Sequence, residues 1–181
     1  MTHNISDISL NQSQHIQNVG FCEYKHTGLY VDNSFIIPEQ LALRTKYFIP
    51  AHTVLSIQQC NVSAIRTRTS IQVASELHVE ADDCIRFLNH SCQPNAAIIS
   101  KYSEKDNYAT IVLESIRDIA MDDEICFDYA STEFTLTEEL LNKPCLCNSP
   151  RCRGILTGYS ELSQEQKQYL VAHIPVAHFL L

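Results

Sequence analysis

Long apolar runs are missing from this sequence, which excludes a membrane-spanning helix. No stretch approaches the ~18 consecutive apolar residues that such a helix needs. The start of the chain also lacks the basic-then-apolar order of a secretory signal, so we expect an intracellular protein, cytoplasmic or nuclear. That start is rich in Asn, Gln and Ser instead, which predicts a loosely ordered lead-in over residues 1–20.

Basic residues are also in short supply. Lys and Arg number 13 against 21 Asp and Glu, and the formal net charge is −8. A nucleic-acid-binding protein needs a basic face to meet phosphates, so direct nucleic-acid binding is not expected. A negative field raises the local concentration of cations and suits a Lys-rich peptide partner, although the same charge also serves simple solubility.

No internal repeat, low-complexity tract or second domain interrupts the 181 residues, a length that fits one domain with one core. The hydrophobic fraction of 45% is normal for a globular protein. Short runs rich in β-branched and aromatic residues predict a mostly β architecture. The predicted strands cover residues 28–31, 47–50, 53–57, 69–73, 108–113 and 125–129.

Helical patterns are confined to the last third of the chain. A short helix is predicted over residues 138–141, with Thr135 or Thr137 as its cap. A second helix is predicted to begin at Ser163, which opens an S-x-x-Q capping-box pattern, and to end before Pro175.

The cysteines are distributed unevenly. Three of the eight fall in a C-x-C-x4-C pattern formed by Cys145, Cys147 and Cys152. Thiolates at short spacing can wrap one ion with little loop-closure cost, and a loop rich in Pro, Asn and Ser is poor core material. The pattern therefore predicts a zinc site whose fourth ligand comes from elsewhere. The alternative is three unrelated buried thiols.

Two further segments carry polar groups in a dense pattern. RFLNHSCQPN, at Arg86–Asn95, is an apolar entry followed by a polar turn in which Asn89 and His90 can contact a polar ligand. Taken alone, a histidine in a turn is more often structural. DDEICFDY, at Asp122–Tyr129, places carboxylates before a strand that ends in tyrosine. Such a tyrosine is usually packed in a core with its hydroxyl in water.

The order of these three segments resembles the signature of SET-domain lysine methyltransferases with a zinc-binding post-SET loop. The resemblance covers residues ~41–160. It implies a mostly β SET fold of short curled sheets with a pseudoknot, a zinc-binding post-SET loop and a C-terminal helix. The expected divisions are a lead-in at 1–20, the SET domain at 21–141, the post-SET zinc loop at 142–158, and a C-terminal helix and tail at 159–181.

The resemblance also implies a cofactor, a metal and their ligands. Tyr129 matches the catalytic tyrosine, which orients a neutral lysine amine while water takes the lysine proton. Phe127 and either Tyr102 or Tyr108 are candidates for lining the lysine channel. S-adenosylmethionine would be held by Arg86, Asn89, His90 and Leu156. A structural zinc ion would be held by Cys92, Cys145, Cys147 and Cys152.

One departure from the family concerns glycine, of which the chain has only four. Gln40, Leu41 and Ala42 stand where the family has a Gly-x-Gly loop whose bare backbone lets the cofactor approach closely. His52 and Asp122 likewise occupy positions where the family commonly has turn glycines.

The implied function is S-adenosylmethionine-dependent methylation of a lysine in a protein or peptide, such as a histone tail. Two alternatives remain open at the level of sequence. One is a SET-fold pseudoenzyme that keeps zinc and peptide binding but not the cofactor, as the missing Gly-x-Gly suggests. The other is a SET-like enzyme that uses the same pocket for small-molecule chemistry.

Overall fold

The computed structural model describes residues 19–24, 28–81 and 84–181, with side chains described from residue 28 onward. Most of the predicted lead-in, residues 1–18, lies outside these ranges. Its last two residues are described, and they belong to a strand that begins at Val19. The helices in the described ranges all lack the length and apolar character that a membrane span requires. Their regular elements are β1 (Val19–Tyr24), β2 (Leu29–Asn33), β3 (Leu41–Thr45), β4 (Val54–Asn61), β5 (Ser70–Ala74), β6 (Leu77–Glu80), β7 (Asn89–His90), β8 (Ala96–Ser103), β9 (Tyr108–Ser115), β10 (Cys126–Phe127) and the helix α1 (Gln164–His173).

The largest sheet has four antiparallel strands in the order β1-β4-β9-β8. Strand β9 alternates strictly, with Ala109, Ile111, Leu113 and Ser115 buried and the residues between them half-buried. Since successive side chains of a strand point to opposite faces, one face of this sheet covers the core. The mostly β architecture confirms the predicted fold class.

Four predicted strands are confirmed by β2, β4, β5 and β9. The strand predicted at residues 47–50 is wrong, because only Ile49 pairs, in a single bridge with Ile119. Pro50 has no backbone N–H to extend a ladder. The strand predicted at residues 125–129 is shorter than expected and ends at Phe127.

The first predicted helix, over residues 138–141, is wrong. The amides of Leu140 and Leu141 both donate to the carbonyl of Thr137, at 2.9 and 2.8 Å, and the segment is a single turn. A few residues cannot offset the cost of helix nucleation.

The second predicted helix is confirmed as α1. The Ser163 hydroxyl accepts the Gln166 N–H at 3.2 Å, and the Gln166 side chain accepts the Ser163 N–H at 2.8 Å. This capping box satisfies two amides that the first helical turn leaves without partners. The helix ends at His173, two residues before Pro175.

A parallel pairing joins two segments that are far apart in the chain. Asn89 lies opposite Cys126, and His90 lies opposite Phe127, in the two-stranded sheet of β7 and β10. The Ser91 N–H extends the pairing to the Phe127 carbonyl at 3.0 Å. The NHSC and FDY segments therefore lie side by side, as expected for the pseudoknot.

The C-terminal segment folds back on the residues that follow β10. Leu170 of α1 packs with Leu162, Ile174 and Ala130 in a second small core. The Ala177 N–H donates to the Ser131 carbonyl at 2.8 Å. The helix thus supports the short 3-10 turn Tyr129–Ser131.

Candidate functional site

A cleft of about 550 Å³ lies beside the paired strands β7 and β10. Its other walls come from residues 37–41, residues 66–71 and the segment between Glu133 and Leu156. Five residues predicted for the site from sequence line it together, namely Arg86, Asn89, His90, Tyr129 and Leu156. Phe127 also lines this cleft, whereas Tyr102 and Tyr108 are not among its described lining residues. Those two tyrosines lie on the β8–β9 hairpin instead.

Gln40 and Leu41, two of the three residues that stand where the family has its glycine loop, line one wall of the cleft together with Glu39, whereas Ala42 is not among its described lining residues. Glu39 has φ 63°, the left-handed conformation that glycine adopts most readily, so the chain makes this turn without glycine. The Asn89 side-chain amide donates to the Leu41 carbonyl at 3.2 Å and ties the wall to β7. His52 (φ 61°) and Asp122 (φ 67°) also adopt the left-handed conformation expected at the family's turn glycines.

The loop that leads into this wall is held by the buried carboxylate of Glu124. The carboxylate accepts the Ser34 hydroxyl at 2.9 Å, the Ile36 N–H at 3.2 Å and the Phe35 N–H. The Arg44 guanidinium lies 3.6 Å from the centroid of the Phe35 ring, a cation–π contact. These contacts position the loop although it contains no glycine.

Tyr129 is the first residue of a 3-10 turn that Asp128 caps. The Asp128 Oδ1 accepts the Ala130 N–H at 3.1 Å. The Tyr129 hydroxyl donates to the Leu88 carbonyl at 3.2 Å. Its ring packs against Phe127 and His90, with centroids 5.0 and 5.1 Å away. Burial raises the pKa of Tyr129 to about 12, so the hydroxyl stays neutral.

A buried ion pair connects this turn with the cysteine-rich loop. Arg153 donates from Nη1 and Nη2 to the two carboxylate oxygens of Asp128, both at 2.7 Å. Asp128 is fully buried. His90 Nδ1 accepts the Tyr129 N–H at 3.3 Å, which assigns the ring proton to Nε2, 3.2 Å from the Cys92 sulfur. The cleft and the cysteines thus share one polar network.

The sulfurs of Cys92, Cys145, Cys147 and Cys152 all lie within 4.8 Å of one another. Four sulfurs at 2.3 Å around a tetrahedral zinc ion stand about 3.8 Å apart. The sulfurs of Cys92 and Cys145 are separated by that 3.8 Å. The four-cysteine cluster therefore has the donor set and spacing for structural zinc.

Backbone and side-chain donors surround these sulfurs. The Arg153 N–H points to the Cys92 sulfur and the Gly154 N–H to the Cys152 sulfur, both at 3.4 Å. The contacts with Cys145, His90 and the Arg153 amide lower the pKa of Cys92. A thiolate is the form that binds a metal ion.

Glu133 also lines the cleft, although no motif or spacing in the sequence selects it. Its carboxylate accepts the backbone N–H of Gln72 at 2.8 Å and the Thr132 hydroxyl at 3.2 Å. Burial raises the pKa of Glu133 to about 7. Asp128 and Arg153 were also missed, although both lie within or beside the motifs that identify the family.

Comparison with known proteins places these features in a family. The SET domain family matches residues 21–130. Histone-lysine N-methyltransferase ash1 of Drosophila melanogaster is 39% identical over 79 residues, 44% of this chain and 3% of the relative. Histone-lysine N-methyltransferase SETD1 of the same organism is 36% identical over 110 residues, 57% of this chain and 6% of the relative. The chain therefore spans only a small part of these relatives.

The solved structures agree on the fold. KRYPTONITE, in a complex with mCHH DNA, an H3(1-15) peptide and SAH, matches with a TM-score of 0.56 and 23% identity, over 71% of this chain and 29% of that one. The structure contains the paired strands β7 and β10, the cleft and the four-cysteine cluster. The SET domain family matches residues 21–130 of the same chain. The chain belongs to the SET domain family.

Proposed function

We propose that this protein is an S-adenosylmethionine-dependent methyltransferase that acts on lysine in a protein or peptide. The observation that carries the proposal is the convergence of Asn89, His90, Leu156 and Tyr129 on one cleft. These residues come from three separate segments of the chain. The curated relatives are named histone-lysine N-methyltransferases, which supports the same reaction here.

The cofactor would be held by Arg86, Asn89, His90 and Leu156. When bound, S-adenosylmethionine supplies a methyl group on a positively charged sulfur. Leu156 is half-buried and exchanges backbone hydrogen bonds with Asn142 and Lys143, at 3.1 and 2.8 Å. It therefore offers a fixed apolar surface for an aromatic ring.

Tyr129 would orient the lysine amine. A lysine with a pKa of ~10.4 is mostly protonated at neutral pH and must lose a proton before its nitrogen can act as a nucleophile. The aromatic walls formed by Phe127 and Tyr129 favour the neutral amine, because desolvation penalises the charged form. The neutral Tyr129 hydroxyl is held at the Leu88 carbonyl, so it can direct a hydrogen bond without bearing charge itself.

Zinc would have a structural role, held by Cys92, Cys145, Cys147 and Cys152. Cys92 lies two residues after β7, whereas the other three lie in the loop that precedes Leu156. Binding one ion between them would fix Leu156 against the cofactor segment, and structural zinc contributes folding free energy directly.

The substrate we propose is a cationic, Lys-containing peptide such as a histone tail, met inside the cell in the cytoplasm or nucleus. The net charge of −8 supports a cationic partner, since it raises the local concentration of positive peptides.

The test combines binding and activity. Calorimetry should show S-adenosylmethionine binding to the purified protein, and the protein should methylate a Lys-rich histone peptide. Tyr129→Phe should lower the methylation rate by about 10²-fold, a barrier increase near 3 kcal/mol, with cofactor affinity almost unchanged. Tyr102→Phe is the matched control, because Tyr102 lies on β8. Equal rates in the wild type and Tyr129→Phe would contradict the proposed role of the hydroxyl.

A further inference from the structure

Glu133 and Tyr129 are neighbours on one turn of the chain. The Glu133 N–H donates to the Tyr129 carbonyl at 2.9 Å, an i to i+4 hydrogen bond. The 3-10 turn Tyr129–Ser131 ends two residues before Glu133, so a short stretch of chain joins the two residues. Both residues line the cleft, and after burial the charge of Glu133 is among the causes that raise the pKa of Tyr129, so the carboxyl lies within electrostatic range of the hydroxyl.

The Glu133 carboxyl is almost inaccessible to bulk water, with 8% of the residue exposed. The Gln72 amide and the Thr132 hydroxyl both donate to Oε1 and hold the side chain in place. A carboxylate can accept several hydrogen bonds, so it has capacity left for a ligand.

Several charged or titratable groups face the same cleft from the surrounding segments. Arg66 has its guanidinium on the Thr135 carbonyl, and Arg68 is exposed on the same segment before β5. The other charged or titratable residues that line the cleft are Glu39 on the loop before β3, Arg86 before β7, His90 on β7, Tyr129 on the 3-10 turn, and Glu139, Lys143 and Cys145 after that turn. Of the three glutamates, only Glu133 is buried.

We propose that Glu133 accepts the proton of the substrate lysine before methyl transfer, a role that rests on the proposed function. The proton passes from the ammonium Nζ of the lysine to a carboxylate oxygen of Glu133. A positive and a negative group thereby become a neutral amine and a neutral carboxylic acid. The nitrogen lone pair is then free to form the new N–CH3 bond while the S–CH3 electron pair stays on sulfur. The carboxylic acid afterwards returns its proton to water.

Burial makes this transfer feasible. The carboxyl of Glu133 has its pKa raised to about 7 by desolvation. The same desolvation lowers the pKa of a lysine ammonium that enters the cleft from its usual ~10.4. The two values approach each other, because burial favours the neutral form of each group.

The decisive variant is Glu133→Gln, which keeps an oxygen that can accept the Gln72 N–H but cannot take a proton. We expect the rate of peptide methylation near pH 7.5 to fall by about 10²-fold, with S-adenosylmethionine affinity unchanged. The deficit should shrink as the pH rises and solvent deprotonates the lysine. It should also shrink with a peptide that carries S-(2-aminoethyl)cysteine, a lysine analogue with a more acidic amine. Glu139→Gln, an exposed carboxylate of the same cleft, should behave as the wild type.

A second readout does not depend on activity. The pKa of Glu133 is higher in the folded chain than the ~4.3 of an unfolded glutamate, so the carboxyl stabilises the fold below about pH 4. That contribution is lost as the pH rises through about 7. Between pH 5 and pH 8 the urea midpoint of the wild type should therefore fall relative to that of Glu133→Gln.

Three outcomes are decisive. A deficit that shrinks with pH and with the analogue supports the proposal. A Glu133→Gln enzyme with the wild-type rate and pH profile overturns it and leaves Glu133 with a structural role. A wild type that binds the cofactor but methylates no lysine peptide overturns the proposed function itself.

Discussion

Arg153 provides the most exacting test of how the cysteine loop is joined to the candidate active site. Arg153→Ala removes both donors from the Asp128 carboxylate, which is fully buried. The remaining close groups are the Ala130 N–H at 3.1 Å and His90 Nδ1 at 3.7 Å from Oδ1. Removing one partner of a buried ion pair leaves an uncompensated charge and costs about 3–5 kcal/mol.

Two companion variants separate charge from geometry. Arg153→Lys keeps the charge but cannot reproduce the two parallel hydrogen bonds, so we expect a loss of roughly 1–2 kcal/mol. Arg153→Ala combined with Asp128→Asn removes the uncompensated charge and should be more stable than Arg153→Ala alone. Arg151→Ala is the control, because Arg151 is exposed and its guanidinium lies over the Tyr169 ring, at 4.0 Å.

The assay is urea unfolding at a fixed zinc concentration, followed by far-ultraviolet circular dichroism because the chain has no tryptophan. Methylation should be measured in parallel, since Asp128 caps the turn that carries Tyr129. If Arg153→Ala loses no more stability than Arg151→Ala, the ion pair does not hold the loop to the site and the reasoning fails.

Two further predictions concern metal binding and close packing. We expect one zinc ion per chain in the wild type. Cys152→Ser should lower the zinc content measured by mass spectrometry, because it removes one of four sulfur ligands. Arg151→Ala should keep its zinc, and a fully loaded Cys152→Ser protein would refute the ligand assignment. Gly158→Ala should destabilise the fold by about 1–3 kcal/mol in the same unfolding assay, because a Cβ atom there would lie 2.6 Å from the Thr135 Cα. Gly154→Ala has open space around it and φ 80°, so it should lose only about 1 kcal/mol, and equal losses would refute the packing argument.

Local signals in the sequence predicted what local physics controls. The capping box at Ser163 produced α1 because its hydrogen bonds join residues three apart. The alternation over residues 108–113 became β9, whose buried face meets the core. The helix predicted at residues 138–141 failed for a local reason as well, since one turn is too short to sustain itself.

The members of the four-cysteine cluster could also be predicted from sequence, but only through the family pattern. Spacing alone joined Cys145, Cys147 and Cys152, whereas Cys92 lies 53 positions before Cys145. No local rule connects Cys92 with the other three cysteines, and the resemblance to the family supplied that connection. The structure brings the four sulfurs together because β7 pairs with β10 and Arg153 binds Asp128 next to that pair.

By itself, then, the sequence determined the mostly β class, the C-terminal helix and the identity of the motif residues. Only the tertiary structure decided that Tyr102 and Tyr108 lie outside the cleft and that Glu133 lies within it. It also decided that left-handed turns at Glu39, His52 and Asp122 form without glycine. The physical reason is that burial, and with it the pKa of a carboxyl, depends on which distant segments pack around a residue. That packing is not encoded in the residue's neighbours along the chain.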